Sequence, residues 1–144
     1  MKKLLRWIVL TGFFLFAAIQ FIPIARTNPP VTGDVPAAPE IKSLLRNACY
    51  DCHSHETVWP WYSRVAPVSW LIASDVKEGR GKMNFSTWAD YKPAKQGVLL
   101  DDAAEQIRQG DMPPFYYAWM HPNARLTDTQ KEQLTSWMKS ASGD

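Results

Sequence analysis

The chain has 144 residues, of which 46% are hydrophobic and 21% are charged. These proportions exclude a wholly disordered chain, and the length allows one domain. Four of the 16 basic residues and none of the 14 acidic residues precede residue 27, so the rest of the chain is slightly acidic. No basic block follows, which argues against a nucleic-acid partner. The two cysteines are too few for a scaffold of several disulfides.

The first 26 residues have the pattern of a membrane anchor. The 19 residues from Trp7 to Ala25 carry no charge, and as a helix they would be about 28 Å long, close to the thickness of a bilayer core. Three basic residues precede this stretch and one follows it, which predicts a cytoplasmic N-terminus. We therefore expect a bacterial inner-membrane, single-pass protein with its domain in the periplasm. A cleaved signal peptide is the alternative, although small residues at a cleavage site are missing.

A proline-rich segment follows the expected anchor. Four of the 13 residues from 27 to 39 are proline and none is a large aromatic, which predicts an extended linker. The expected organisation is an anchor over residues 1–26, a linker over residues 27–39 and one domain over residues 40–144.

The remaining sequence predicts an all-α domain. A first helical pattern runs from Ile41 to Ala48, with apolar residues three or four positions apart. Pro67 is suited to begin a second helix and Gly79 to end it. The apolar face expected for this second helix consists of Val68, Leu71, Ile72 and Val76.

Two more helices complete the expected domain. The third runs from Ala94 to Gln109 and is followed by Gly110, a residue typical of the position after a helix. The last follows Thr127, which forms a capping-box pattern with Gln130. The residues expected to be buried are Leu99, Leu100, Ala103, Ala104, Ile107, Leu134, Trp137 and Met138. The long loops before the second helix and after Gly110 indicate a binding role.

One short motif carries the chemistry. Cys49, Cys52 and His53 form the C-x-x-C-H pattern that attaches c-type haem. This spacing lets two thiols reach the two vinyl groups on one edge of the porphyrin while the imidazole approaches the iron from one face. The motif predicts one covalently attached haem c, with Cys49 and Cys52 in thioether bonds and His53 as an iron ligand.

Three other uses of this motif remain open. A thioredoxin-like redox pair also has two cysteines at this spacing, but it requires a βαβ context that the helical pattern lacks. A structural zinc ion would draw on Cys49, Cys52, His53 or His55, but such sites usually combine two separated ligand pairs. A disulfide between the cysteines would close too short a loop to stabilise much.

The second iron ligand has several candidates. Met112 lies in the loop after the third helix, and Pro113 and Pro114 stiffen that loop. We predict Met112 as the distal ligand, because a neutral sulfur favours the ferrous state and raises the reduction potential. The alternatives are Met83, Met120 and His121, and the last of these would give a bis-histidine haem of lower potential.

The sequence resembles class I cytochromes c of the bacterial membrane-anchored haem-binding domain family. The resemblance covers roughly residues 40–141. Four segments carry it: Cys49 to Ser54, Thr57 to Tyr62, Gly110 to Pro114, and the closing helix from Leu126 to Trp137. The family implies several helices around one haem, His/Met ligation, and electron transfer or haem binding of undefined purpose.

Two further roles are expected around the motif, and the resemblance implies the first. It suggests that the carbonyl of Pro67, or failing that of Pro60, accepts a hydrogen bond from His53, as histidine ligands generally require. The loop after the motif concentrates donors, so we expect Trp59, Trp61 or Arg64 to bind the haem propionates.

The expected function is a monohaem c-type cytochrome that transfers single electrons between redox partner proteins and is not itself an enzyme. A haem-based sensor or a catalytic haem with an open sixth position is the alternative. A non-haem interaction module with a disulfide is the third possibility.

Overall fold

The computed structural model describes residues 1–143; residue 144, the end of the expected domain, lies outside them. Its α-helices are α1 (Lys2–Ile19), α2 (Pro39–Ala48), α3 (Tyr50–His53), α4 (Val68–Lys82), α5 (Pro93–Gln109), α6 (Phe115–Met120) and α7 (Asp128–Ser142). Short 3-10 turns lie at Trp61–Arg64, Trp88–Asp90 and Pro122–Ala124. Over the described range, the sheet-like pairing is one isolated bridge between Gly33 and Thr87. The prediction of an all-α domain is confirmed.

Helix α1 corrects the predicted anchor. It ends at Ile19 instead of continuing to Ala25, because Gln20 turns towards the domain and Pro23 disfavours helix in the residue before it. The Gln20 amide group accepts from Ala66 N at 2.9 Å and donates to Ala66 O at 3.2 Å. Among residues 1–143, no helix combines the length and apolar character needed to cross a bilayer. The predicted single span and inner-membrane localisation are therefore wrong.

The proline-rich segment lies on the domain along its length. The backbone amides of Thr32 and Gly33 both donate to Ser86 O, and Trp88 N donates to Gly33 O at 2.7 Å. The side chain of Val35 is only 2% exposed. Residues 27–39 therefore form a strap that packs against the helices, which differs from the free spacer that their composition indicates.

The core forms where α5 and α2 pack against α7. The predicted capping box is confirmed, with Thr127 accepting from Gln130 N and Gln130 accepting from Thr127 N. Gly110 follows α5 at φ 82°, a left-handed conformation that glycine adopts without strain. The largest fully buried hydrophobic side chains are Leu45, Phe85, Leu134 and Met138.

Helix α4 differs from its prediction in both its end and its buried face. It continues three residues past Gly79 to Lys82. Of the predicted apolar face, Val76 is buried as expected and Ile72 is half-buried, but Val68 and Leu71 are 42% and 48% exposed. Ser69 and Gly79 are buried in addition. At Gly79 the reason is steric, because α4 lies so close to α3 there that an added Cβ would be 2.5 Å from Cys52 O.

Candidate functional site

The cysteine–histidine motif occupies the junction between α2 and α3. Cys49 ends α2 with φ −126° and begins α3, a single helical turn. The Cys49 carbonyl accepts from Cys52 N at 3.1 Å and from His53 N at 2.9 Å. These bonds close a tight turn that holds both thiols and the imidazole on one short segment, as the spacing predicts.

The ring of His53 is oriented by the segment that follows α4. His53 Nδ1 lies 3.0 Å from Met83 O, and the His53 carbonyl accepts from Phe85 N at 2.7 Å. The predicted acceptors for His53, the carbonyls of Pro67 and Pro60, are therefore replaced by the carbonyl of Met83. Pro67 O accepts from Trp70 N, and Pro60 O accepts from Ser63. Burial lowers the pKa of His53, although hydrogen bonds to the Met83 and Gly79 carbonyls oppose that change. The Met83 bond occupies Nδ1 and leaves Nε2 free to bind a ligand.

A cavity of about 680 Å³ opens beside the motif. Cys49, His53 and Met112 line it together, although 59 residues separate His53 from Met112 in the sequence. The apolar residues that complete most of its wall are Ala48, Met83, Phe85, Leu99, Ala103, Ile107, Pro113 and Met138. A mostly apolar cavity with a few convergent polar atoms is typical of a cofactor site.

Met112 reaches this cavity because the chain reverses after α5. Gly110 ends the helix, and Met112 N donates to Gln106 O at 3.2 Å, which folds the residue back along α5. Met83 and Met138 line the same cavity but are 7% and 1% exposed and belong to the core. Met120 is 47% exposed and does not line it.

Both thiols are free and uncharged at neutral pH. Burial raises the pKa of Cys49 to about 12, and the neighbouring Cys52 adds to this effect. Burial also raises the pKa of Cys52 to about 12, helped by the carboxylates of Asp75 and Asp51. A redox-active C-x-x-C pair has the opposite property, a lowered thiol pKa. These surroundings argue against the thioredoxin-like alternative.

The zinc alternative has no ligand set in the described part of the chain. Residues 1–143 contain no cluster of three or more histidine, cysteine or acidic side chains arranged for a metal ion. His55 uses both ring nitrogens elsewhere, with Nδ1 2.9 Å from Pro30 O and Nε2 2.8 Å from the Asn84 side-chain amide. It holds the strap against the segment after α4.

His121 is likewise engaged away from the cavity. Its Nε2 lies 3.0 Å from Tyr62 Oη, its Nδ1 lies 3.0 Å from Tyr117 O, and its ring stacks on Tyr117. It does not line the cavity beside His53. Of the four candidates for a second ligand, Met112 and Met83 reach this cavity, whereas Met120 and His121 do not.

The three residues expected at the propionates lie elsewhere. Trp59 lines a second cavity, of about 600 Å³, between α4 and residues 23–27, and its buried Nε1 has no hydrogen-bond partner among residues 1–143. Trp61 is 75% exposed. Arg64 lies beside the residues that follow α1. The turn at Trp61–Arg64 points this loop towards the N-terminal segment, so the structure does not bring these residues to Cys49, His53 and Met112.

Two residues of α4 that sequence reasoning missed position the motif. A Cβ atom on Gly79 would lie 2.5 Å from Cys52 O, so only glycine permits the observed contact between α4 and α3. Arg80 Nε donates to Ser54 O at 2.7 Å, directly after the motif. The other guanidinium nitrogens donate to Thr27 O, Asn28 Oδ1 and Thr57 Oγ1. A glycine and an arginine within a helical pattern give no sequence signal of these contacts.

Helix α6 lies over the outer side of the motif. Tyr117 Oη donates to Asp51 Oδ2 at 2.7 Å, and Asp51 stands between the two cysteines. Tyr116 Oη donates to Asp75 Oδ2 at 3.1 Å. Burial, followed by the Asp51 carboxylate, raises the pKa of Tyr117 above its usual range, so both tyrosines stay neutral donors. The expected loop after Gly110 thus contains a helix tied to α3 and α4.

The comparisons with known proteins agree with a haem site. A family model described as a haem-binding domain matches residues 14–140. No curated protein and no solved structure gives a significant match. The family match spans most of the chain and includes the motif, the strap and the Met112 loop, so this protein belongs to the haem-binding domain family.

Proposed function

We propose that this protein is a monohaem c-type cytochrome that carries single electrons and is not an enzyme. The observation that carries the proposal is the meeting of Cys49, His53 and Met112 on one largely apolar cavity. Covalent haem and His/Met ligation require two thiols, an imidazole and a thioether. Cys49, His53 and Met112 line the cavity, and Cys52 lies on the same helical turn as His53. The haem would supply the one-electron chemistry of its iron.

The residues of the motif have distinct roles in this proposal. Each thiol of Cys49 and Cys52 would add its S–H across one vinyl group, with sulfur going to one carbon and hydrogen to the other, so that a thioether would form without an oxidant. Both thiols are free, as this addition requires. His53 presents Nε2 to the iron, because Nδ1 is held at Met83 O. Attachment at three points close in sequence keeps the cofactor in one orientation.

Met112 distinguishes a carrier from a sensor. A thioether that occupies the sixth position leaves no site for a gas or peroxide, whereas a sensor or catalytic haem keeps that position open. The backbone of Met112 is held at Gln106 O, and its side chain packs against the core. These contacts support a pre-positioned ligand and argue against an open sixth position. Ligation by a thioether also favours the ferrous state of the iron.

The test is a reduced-minus-oxidised spectrum of the protein made together with haem-maturation machinery, followed by haem staining after denaturing electrophoresis. We expect a c-type spectrum and stain that comigrates with the polypeptide. The double variant Cys49→Ala/Cys52→Ala is expected to lose the stain. Stain retained in this variant, or absent from the unsubstituted protein, would contradict the proposal.

A further inference from the structure

The cavity beside the motif has a charged part that the proposed ligands do not use. Its polar and charged lining residues, besides the motif itself, are Lys82, Lys95, Asp102, Glu105 and Gln106. The two lysines are the cations of this wall. Within residues 1–143, the side chain of neither lysine takes part in a hydrogen bond or ion pair.

Both lysines lie near helix ends that border the cavity. Lys82 is the last residue of α4 and Lys95 belongs to the first turn of α5. Asn84 N donates to Tyr91 Oη at 3.1 Å, which brings the end of α4 beside the beginning of α5. Met112 lies beside Gln106, three turns of α5 from Lys95, or about 16 Å along the axis. Met112 is thus separated along α5 from Lys95, and the part of the wall formed by Lys82 and Lys95 is called the basic end of the cavity.

The carboxylates of the wall do not neutralise this basic end. Glu105 is bound by Arg108 and accepts from Gln109 Nε2 at 2.7 Å, so its charge is already balanced. Asp102 lies two turns along α5 from Lys95, towards Met112. An anionic group would be repelled by Asp102 and attracted to the end where Lys82 and Lys95 lie.

We infer that Lys82 and Lys95 bind the two propionates of the haem. This inference rests on the proposed function and assigns the anionic edge of that cofactor to the basic end of the cavity. The propionates are the haem's carboxylates, and lysine ammonium groups bind carboxylates through charge-assisted hydrogen bonds. These two residues replace Trp59, Trp61 and Arg64, which do not line this cavity.

The test compares haem with haem dimethyl ester, in which both propionates are uncharged. Binding is titrated by the Soret band in the full chain carrying Cys49→Ala and Cys52→Ala, so that attachment stays reversible. In this background, Lys82→Met together with Lys95→Met is expected to lower the affinity for haem about tenfold, the effect of two partly exposed ion pairs. The affinity for the ester should not change. Lys77→Met with Lys92→Met, at positions that do not line this cavity, is the matched control.

Each outcome has a distinct meaning. A loss for haem that is absent for the ester and absent in the control supports the inference. If the Lys82/Lys95 variant and the control variant bound haem with equal affinity, the inference would be overturned, but the proposal that the protein binds haem would stand. An equal loss for haem and for its ester would also overturn it, because the lysines would then act on the cavity and not on the propionates. If the Cys49→Ala/Cys52→Ala chain with both lysines intact bound neither haem nor its ester, that result would instead count against the proposed function itself.

Discussion

His53 Nδ1 lies 3.0 Å from the carbonyl oxygen of Met83, a residue 30 positions later in the chain. The Met83 amide in turn donates to Gly79 O at 2.9 Å, at the end of α4. The orientation of the proposed iron ligand therefore depends on how closely α4 approaches α3. That approach is limited at Gly79, where an added Cβ would lie 2.5 Å from Cys52 O.

The first prediction concerns this contact. Gly79→Ala should destabilise the fold by about 1–3 kcal/mol, because backbone atoms of α3 have to move to admit the methyl group. It should also reduce the yield of covalent haem. Thermal unfolding followed by circular dichroism, together with haem staining, measures both effects. Gly81→Ala is the matched control for stability only, since Gly81 lines the cavity: outside its own helix turn, no atom lies within 4 Å of its added Cβ, and helix propensity predicts up to about 1 kcal/mol of stabilisation. Equal stability of the two variants would contradict the steric explanation.

Arg80 provides the second prediction. Its guanidinium donates to Ser54 O, Thr27 O and two side-chain oxygens, so it joins the end of the motif to the strap. Arg80→Ala should lower the free energy of unfolding by about 2–4 kcal/mol, since several charge-assisted hydrogen bonds are lost together. Arg80→Lys should recover only part of this, because an ammonium group lacks the planar fork. Urea denaturation measures the loss.

The control for Arg80 is Lys77→Ala, one turn earlier on the same helix. Lys77 is exposed, and its side chain makes no hydrogen bond or ion pair among residues 1–143. Its replacement should change the free energy of unfolding by less than about 0.5 kcal/mol. If Arg80→Ala were no more destabilising than Lys77→Ala, the guanidinium would be a surface charge without a structural role.

The features that could be predicted from the sequence are those that depend on local pattern. The helix from residue 93 to 109, the left-handed Gly110 and the capping box at Thr127 follow from periodicity and from the chemistry of helix ends. The C-x-x-C-H motif specifies its ligand chemistry within five residues.

The remaining features depend on contacts between distant segments. The acceptor for His53 is a backbone carbonyl, and any residue presents the same group, so side-chain identity does not reveal Met83. Proline content indicates an extended conformation for residues 27–39 but does not distinguish a free spacer from a strap paired with Ser86 and Trp88. The uncharged run that begins at Trp7 continues beyond the end of α1, because the Gln20 side chain binds Ala66. A hydropathy pattern does not reveal such a contact.

The third prediction is a pH dependence at the strap. Burial opposes ionisation of Asp34, but hydrogen bonds from Lys42 and Tyr50 outweigh it and lower the pKa of Asp34 below 3.8. A carboxyl with a lowered pKa stabilises the fold fully above its ordinary pKa, and this contribution is lost as the pH falls through the folded value. The stabilisation by Asp34 should therefore be present at pH 6 and decline below about pH 3.8.

Asp34→Asn isolates this contribution. The variant should be less stable than the unsubstituted protein at neutral pH. The difference should be less than about 1 kcal/mol, because the ion pair between Asp34 and Lys42 is partly exposed. The difference should shrink as the pH falls below 3.8. Chemical denaturation at a series of pH values measures it, with the exposed Asp111→Asn as a control. A difference that stayed constant down to about pH 2 would show that ionisation of Asp34 is not involved.

The last prediction separates Met112 from the other candidate ligands. Met112 shares the cavity with His53, whereas Met120 is 47% exposed and both nitrogens of His121 are hydrogen-bonded elsewhere. Met112→Ala should abolish the weak long-wavelength charge-transfer band of Met-ligated ferric haem, open the iron to carbon monoxide and lower the reduction potential, because the sulfur that favours ferrous iron is removed. Covalent haem should remain, since Cys49 and Cys52 are unchanged. Met120→Ala and His121→Ala should retain the band. Its survival in Met112→Ala would assign the ligand to Met83, the other original candidate that lines the cavity, and its loss in His121→Ala would contradict the assignment of Met112.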